Sequence, residues 1–392
     1  MVSRSVSLLI NTGHAIDHMF LLVFATAVAT IAADFGFARW EDLMPWGVGA
    51  AFMFGLGSIP AGRLGDLWGR RAMMLVFFFG MGASMLLIAL TQNVWQLAAA
   101  LTLMGLFSSI YHPVGIPMLL RYTPNPGLTI GVNGLVGNLG IAASALATGL
   151  LIKYFNWHMA FVLPGLISIA LGIAFALVAP PEPDAPAKHL KNAAGLSREA
   201  MMRVLPVMTL TAMSSSVIFN ITTNGNQQLL IERFEGVIQD PAVLGALLSV
   251  VYVIASLSQV VVGKLIDRYP LKRIFFIVTL AQAPFLALAA MADSWALLLL
   301  QGGFMIFIFG AVPFNDAMLV RYVDDHMRSR VAGMRLAISF SFSSLAVWSL
   351  GPVVKAAGFE TLLFAMSGVA LFTLAAVSML PNTEPALRPA PA

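Results

Sequence analysis

Three ionisable residues share one face of the first long apolar segment of the chain. His14, Asp17 and His18 are spaced at i, i+3 and i+4, and side chains at these positions lie together on one side of a helix. Histidine titrates near neutral pH, so the group can act as a proton relay. Imidazole and carboxylate are also metal ligands, and polar clusters can simply hold helices together. We favour the relay among these three interpretations and predict neither a metal site nor a cofactor.

Other polar residues interrupt apolar segments further along the chain. His112 lies deep in the fourth segment and precedes Pro113, which leaves a backbone carbonyl without its helical partner. Asp316 lies late in the tenth segment, where it can face a cavity or pair with Arg321 at the surface. His112 is therefore a further proton-coupling candidate, and Asp316 is a cavity candidate.

A stripe of neutral polar residues runs along the seventh segment. Its members fall at i, i+4, i+7, i+8, i+11 and i+12, which is one helix face: Ser216, Asn220, Thr223, Asn224, Gln227 and Gln228. Such a face lines a cavity or bonds neighbouring helices, and its outermost glutamines can lie at the surface. We expect the stripe to line a cavity for a small molecule. Weaker cavity candidates are Tyr111, Asn138 and Gln259.

The composition requires that these residues sit in a membrane protein. Of the 392 residues, 59% are hydrophobic and only 10% are charged, whereas a soluble domain carries roughly 25% charged residues. The mean hydropathy is +0.87. Soluble enzymes, nucleic-acid-binding proteins and disordered scaffolds are therefore excluded. The chain has no cysteine, which excludes disulfides, thiolate metal sites and thiol nucleophiles.

The apolar segments number twelve, each long enough for the roughly 20 residues that a spanning helix needs. They cover residues 5–33, 43–62, 72–91, 95–120, 128–152, 158–180, 204–231, 242–263, 273–292, 295–320, 331–354 and 358–380. The fold class predicted is all-α, a polytopic membrane protein.

Basic residues fall almost entirely on one side of this arrangement. Of the 22 lysines and arginines, 18 lie in the loops and ends on the side of the termini; the other four are Arg39, Lys153, Arg233 and Lys355. The positive-inside rule then places both termini in the cytoplasm, with the bacterial inner membrane as the predicted location.

The chain divides into two similar halves. The hydrophilic segment 181–203 is a predicted cytoplasmic linker between bundles 1–180 and 204–380, and the tail 381–392 is predicted to be disordered. Residues 62–71 and 263–273 share glycine, a basic residue, leucine and aspartate in register, and residues 118–122 match 318–322 at an offset of 200. A duplicated six-helix bundle is typical of transporters.

Residues 62–71, GRLGDLWGRR, match every fixed position of the pattern G-x-L-[GA]-D-x-x-G-R-[KR]. The chain thereby resembles the major facilitator superfamily, in which this loop joins the second and third helices. The resemblance implies two pseudo-symmetric six-helix bundles and a loop that latches the halves in the outward-facing state. Asp66 would precede the third helix and cap it or pair with an arginine. The latch candidates are Gly62, Arg63, Gly65, Asp66, Gly69, Arg70, Arg71, Asp267, Arg330 and Arg335.

A narrower resemblance links the chain to the fosmidomycin-resistance group of exporters. Residues 107–115 are similar to the F-H-P-x-G pattern of that group, and His14 with Asp17 matches its H-x-x-[ND] pattern. The superfamily places its first and fourth helices side by side, which implies that His112 can join Asp17 in a relay.

These features predict a secondary active transporter that works by alternating access and exports a small organic molecule in exchange for protons. Uptake of a metabolite or metal chelate is the alternative within transport, and a transport-inactive membrane receptor is the alternative from another class. The chain carries no nucleotide-binding loop, and we predict that it is not an enzyme. The expected partners are a small-molecule substrate, protons and the lipid bilayer, with no nucleic acid, and the protein is expected to be a monomer.

Overall fold

The computed structural model describes residues 4–120, 126–181, 198–322 and 325–380, and every regular element in these ranges is helical. Six long helices come before residue 182. They are α1 (Arg4–Asp34), α2 (Val48–Trp68), α3 (Arg70–Ala89), α4 (Val94–Leu120), α5 (Pro126–Tyr154) and α6 (Met159–Val178). Most of the predicted linker, residues 182–197, and the predicted tail 381–392 lie outside the described residues.

The second half begins with a helix that starts earlier than predicted. Its first four helices are α7 (Arg198–Arg233), α8 (Pro241–Arg268), α9 (Leu271–Ala290) and α10 (Ser294–Tyr322). The first turns of α7 thus occupy the end of the segment that the sequence assigned to the linker.

One continuous helical run, Asp325–Ser378, completes the chain. Its apolar part, Met334–Ser378, has 45 residues and would measure roughly 68 Å at about 1.5 Å per residue. That length is about twice the hydrocarbon thickness of a bilayer. Gly358 divides the run, because its φ of 75° and ψ of 170° are not helical and such a positive φ suits glycine. The two parts are α11 (325–357) and α12 (359–378), and with them the spans in the described ranges number twelve, as predicted.

The two halves meet along two related helix pairs. Across the interface, α2 packs against α11 and α5 packs against α8. Within the first half, α1 packs against α5, and α2 packs against α4. This arrangement places one face of α1 and the C-terminal half of α4 beside the interface. The ionisable cluster lies there.

The signature loop between α2 and α3 is shorter than the sequence suggested. Helix α2 continues through Asp66 to Trp68, and Gly69 alone makes the turn, with a φ of 91°. Gly69 also occupies the N-cap position of α3, and Asp66 lies inside α2 and not at that position. Arg71 donates to the carbonyl oxygens of Ala176 and Ala179, both at 2.8 Å, and so ties α3 to the end of α6.

Two glycines of α5 allow α1 to approach closely behind the cluster. A methyl group on Gly140 would lie 2.0 Å from the carbonyl oxygen of Ala15, and one on Gly137 would lie 2.6 Å from the ring of His14. Real side chains do not approach this closely. The absence of side chains at these two positions is therefore what allows α5 to support the cluster on α1.

We expect Gly140→Ala to lower the free energy of unfolding by about 1–3 kcal/mol, the cost of overpacking a tight contact. The matched control is Gly131→Ala on the same helix, because nothing described lies within 4 Å of a methyl group there. The control should be neutral, or stabilising by up to about 1 kcal/mol through reduced backbone entropy in the unfolded state. Thermal unfolding in detergent measures both changes. Equal effects of the two substitutions would contradict the close α1–α5 contact.

Candidate functional site

The cluster forms because α4 changes its helical geometry beside α1. The α-helix of this span ends at Ser108, and a π-helical turn follows over Tyr111–Gly115. Pro113 lies in this turn and has no N–H to donate, so a regular ladder cannot continue through it. π-helical turns of this kind are frequent at functional sites. The turn brings His112 to the face of α1 that carries the predicted cluster, as the family resemblance implied.

Asp17 is the centre of the cluster and is completely buried, with 0% exposure. Its Oδ1 accepts a short hydrogen bond from the hydroxyl of Ser108 on α4. Its Oδ2 has no hydrogen-bond partner among the described residues but lies 3.9 Å from Nε2 of His112. One carboxylate oxygen is thus satisfied, and the other faces an imidazole that is partly exposed, at 21%. This pair can share a proton or form an ion pair.

The three histidines lie together, and two of them, His14 and His18, are hydrogen-bonded to each other. Nδ1 of His14 lies 2.7 Å from the backbone carbonyl oxygen of Asn133, and Nε2 of His14 lies 3.1 Å from Nε2 of His18. A carbonyl only accepts, so Nδ1 of His14 carries the proton. In its neutral form, Nε2 of His14 then accepts from His18. The ring of His112 lies 5.1 Å from that of His14 and 5.8 Å from that of His18.

A metal ion is the other ligand that these rings could bind. His14, His18 and His112 offer ring nitrogens that all lie within 4.8 Å of one another. Both nitrogens of His14 are already engaged, one with Asn133 and one with His18. The observed bonds therefore use both ring nitrogens of His14 within the cluster, which favours the relay over a metal site.

Asn133 on α5 holds the group together and is not among the site residues predicted from the sequence. Its side-chain amide donates to the hydroxyl of Tyr111 at 2.7 Å and to Oδ1 of Asn11 at 2.9 Å. The Tyr111 hydroxyl in turn donates to the carbonyl oxygen of Ile10 at 3.0 Å, and its ring stacks on His14 at 4.6 Å. The signal was present, because Asn133 precedes Gly137 and Gly140 at i, i+4 and i+7.

A cavity lies in front of the cluster, between the two halves. Its empty volume is about 780 Å³, including the open space at its mouth. The first half contributes α1, α2, α4 and α5, and the second half contributes α7 and α11. The polar residues around it are His18, Asn220, Thr223 and Asn224. Three members of the predicted stripe thus line the cavity.

The other predicted cavity residues are placed differently. Ser216 accepts a hydrogen bond from Ser343 of α11 at 2.7 Å and so bonds two helices. Gln227 and Gln228 are 4% and 2% exposed, so they are not surface residues. Tyr111, Asn138 and Gln259 are buried and are not among the residues around this cavity. Asp316 lies in α10, but its side chain is outside the described part of the structure.

The predicted latch residues occupy the end of the bundle on the side of the termini. Arg70 donates to the carbonyl oxygen of Pro117 at 3.2 Å, a contact within the first half. The other members lie in α2, in the turn after it, in α3, in α8 and in α11: Gly62, Arg63, Gly65, Asp66, Gly69, Arg71, Asp267 and Arg335. The side chain of Arg330 is outside the described residues.

A family model supports this architecture. The model described as Major Facilitator Superfamily matches residues 10–230, more than half of the chain. The chain belongs to the major facilitator superfamily. It is therefore a membrane transporter and not an enzyme.

Three curated relatives have different cargoes. The chain is 25% identical over 348 residues to the multidrug resistance protein MdtG of Salmonella arizonae, covering 82% of this chain and 81% of that protein. It is 30% identical over 166 residues to the 4-hydroxybenzoate transporter PcaK of Pseudomonas aeruginosa, covering 39% and 37%. It is 35% identical over 125 residues to the tetracenomycin C resistance and export protein of Streptomyces glaucescens, covering 31% and 22%. The last two matches span well under half of those relatives.

Solved structures support the fold. A bacterial homologue of the human lysosomal transporter Spinster, in an inward-facing and occupied conformation, superposes with a TM-score of 0.72 at 15% identity. The match covers 95% of each chain. The inward-facing and unoccupied form of such a homologue gives a TM-score of 0.68 at 13% identity, over 95% of this chain and 94% of that one.

Two buried asparagines of α5 allow a matched test of the site. We expect Asn133→Leu to lower the free energy of unfolding by about 1–3 kcal/mol, because it removes the hydrogen bonds that Asn133 donates to Oδ1 of Asn11 and to the Tyr111 hydroxyl. Asn138→Leu should be neutral or stabilising, because its amide nitrogen is buried and has no partner among the described residues. Both side chains are 3% exposed. Thermal unfolding of the two variants should differ in sign, and equal losses would contradict the network described.

Proposed function

We propose that this protein is a proton-coupled secondary transporter that exports a small organic molecule by alternating access. The observation that carries the proposal is the pair of Asp17 and His112, whose facing atoms lie 3.9 Å apart. The pair is next to His18 and Phe54, which line the cavity between the two halves. Buried ionisable groups in a membrane bundle are costly and mark ion or proton pathways.

The pair of Asp17 and His112 has two protonation states, which differ by one proton. With one proton more, Asp17 is neutral or His112 is an imidazolium that pairs with the carboxylate. With one proton fewer, the carboxylate of Asp17 retains only the hydrogen bond from Ser108. Proton transfer requires Oδ2 and Nε2 to approach by about 1 Å to reach hydrogen-bonding distance. A ring rotation of His112 towards Asp17 provides that approach.

The cavity is next to the pair, which allows protonation to affect substrate binding. His18 lines the cavity and bonds to His14, and the ring of Phe54, another lining residue, meets His112 edge to face at 5.8 Å. A substrate in the cavity therefore contacts the same side chains that surround the proton site. This shared set of contacts would couple the binding of one to that of the other.

Export is supported by the relatives. The MdtG and tetracenomycin C proteins are named for resistance, and the latter for export. The similarity to a 4-hydroxybenzoate transporter keeps metabolite uptake as the alternative.

We further propose an inner-membrane location with both termini in the cytoplasm, a monomer, bundles at 1–180 and 204–380, and a latch role for the loop 62–71. The charge distribution supports the proposed location and topology, and the signature pattern supports the proposed latch.

Vesicles of defined orientation test the proposal. Tetracenomycin C and 4-hydroxybenzoate, the compounds named for the relatives, serve as probes in everted vesicles with an acidic interior. Wild-type protein should accumulate at least one of them. Asp17→Asn should reduce this accumulation at least 10-fold, while exchange of labelled for unlabelled compound without a gradient continues. His112→Ala should have a similar effect.

The control is Glu360→Gln, which changes an exposed carboxylate of α12 and should transport normally. Accumulation with an unchanged pH dependence in both Asp17→Asn and His112→Ala would refute coupling through this pair. Accumulation in right-side-out vesicles in place of everted ones would refute export and favour uptake.

A further inference from the structure

The walls of the cavity define what it can bind. Phenylalanine rings line it from both halves, and the rings of Phe54 on α2 and Phe340 on α11 meet edge to face across the interface at 4.5 Å. Among the described residues around the cavity there is no lysine, arginine, aspartate or glutamate. A charged ligand would lose its hydration here without gaining an opposite charge, which is costly. An aromatic ligand would extend the existing edge-to-face packing.

The polar groups of α7 face the cavity mainly with acceptors. The amide nitrogens of Asn220 and Asn224 each donate to a backbone carbonyl four residues earlier, at 2.9 Å. The hydroxyl of Thr223 donates to the carbonyl oxygen of Phe219 at 2.7 Å. These bonds direct one hydrogen of each amide, and the hydroxyl hydrogen of Thr223, back into the helix. The amide oxygens and the hydroxyl lone pairs remain to accept hydrogen bonds from a ligand.

We propose that the cavity binds an uncharged aromatic compound that carries a hydroxyl or amino donor, such as a phenol. This inference rests on the proposed transport function, because it names the substrate class of the same cavity. The ring lies against Phe54 and Phe340, and the donor reaches the acceptors of Asn220, Thr223 and Asn224. The site selects against anions because the described walls offer no positive side chain.

Three naphthalene compounds test this class. The full-length protein in lipid nanodiscs is titrated with labelled 1-naphthol, 1-methoxynaphthalene and naphthalene-1-sulfonate, and binding to empty nanodiscs is subtracted. We expect saturable binding of 1-naphthol and about 3–10-fold weaker binding of the methyl ether, the factor that one lost hydrogen bond produces. The sulfonate should show no saturable binding.

Variants of α7 identify the acceptors. Asn224→Leu and Thr223→Val should each reduce the preference for 1-naphthol over its ether. Thr222→Val is the matched control, because Thr222 is also buried and also bonds the backbone, at 2.7 Å to Ile218, but does not line the cavity. The inference fails if the sulfonate binds as tightly as 1-naphthol, if the ether binds equally well, or if none of the three binds saturably. These titrations need no proton gradient, so their failure is distinguishable from failure of the vesicle experiment.

A second, independent observation concerns the end of the bundle away from the termini. Two lysine–aspartate pairs join the halves there, Lys153 to Asp240 and Lys355 to Asp42, each at 2.5 Å. Each lysine lies near the end of a helix that packs across the interface, α5 or α11. Each aspartate lies at or near the start of its partner, since Asp240 is the N-cap of α8 and Asp42 lies in the short helix Trp40–Leu43 before α2.

A glycine lies four residues before each lysine, and it makes a close contact with the same opposite segment that carries the aspartate. We call each set of one glycine, one lysine and one aspartate a module. A methyl group on Gly149 would lie 2.5 Å from the carbonyl oxygen of Pro241, and one on Gly351 would lie 2.2 Å from that of Glu41. The chain thus repeats G-x-x-x-K at 149–153 and 351–355, with an aspartate on the opposite helix each time. At the other end of the α5–α8 interface, Gly131 and Gly263 have no described atom within 4 Å of an added methyl group.

We infer that these two modules form a paired gate that closes this end of the cavity. The lysine also holds the pKa of Asp240 below its ordinary value through its hydrogen bond, so that pair is charged over the physiological range. The modules are related by the repeat of the two halves, so a rocking motion that opens one also opens the other. Closure at this end leaves the cavity accessible from the end that carries the termini.

The absence of cysteine makes the gate directly measurable. In an Ala51→Cys background, which places one thiol in the cavity wall, a membrane-impermeant maleimide is applied to the side away from the termini. We expect Lys153→Gln and Lys355→Gln each to speed labelling about 2–5-fold, the factor that a partly exposed ion pair contributes. The double variant should be faster still, and exchanging Lys355 with Asp42, which is not a helix cap, should restore the slow rate.

The control is Arg233→Gln, because Arg233 pairs with Asp293 at 2.8 Å within the second half and does not join the halves. Labelling of the double lysine variant no faster than this control would overturn the gate. So would an exchange of Lys355 and Asp42 that labels as fast as Lys355→Gln.

Discussion

The burial of Asp17 is the constraint on which the rest of the site depends. A carboxylate with no exposed surface in an apolar bundle costs several kcal/mol unless it is neutralised or bonded. The fold supplies one hydrogen bond, from Ser108, and one nearby imidazole, that of His112. Both partners come from α4, so α1 and α4 must stay in contact. The π-helical turn at Pro113 presents His112 to Asp17, and the small residues of α5 support α1 from behind.

The cost of burying Asp17 also bears on how the protein changes conformation. Uptake or release of a proton by the pair of Asp17 and His112 changes the charge next to the cavity. The halves meet through α2 with α11 and through α5 with α8, and these contacts include glycine positions where backbones approach closely. Ion pairs at one end of the interface add only about 0–1 kcal/mol each. Interfaces held by such small energies can be opened by a change in protonation or by a bound ligand.

Much of the architecture could be predicted from the sequence, because bilayer thickness and hydropathy determine span lengths. The division of the last helical run at Gly358 agrees with the predicted boundary between 331–354 and 358–380. The spacing of His14, Asp17 and His18 also predicted a shared face. Asn133, Ser108 and the G-x-x-x-K repeat were missed, because a neutral polar residue in an apolar helix shows its role only when its partner on another helix is known. The burial of Gln227 and Gln228 could not be predicted either, because it depends on the helices that pack around α7.

Infrared difference spectroscopy between acidic and neutral pH is the most direct test of the central claim that Asp17 carries a transported proton. The account predicts a band from a protonated carboxyl group that is lost when the pH is raised in the wild-type protein. That band should be absent from Asp17→Asn and shifted in Ser108→Ala, which removes the hydrogen bond to Oδ1. A titrating carboxyl band that persists unchanged in Asp17→Asn would contradict the account.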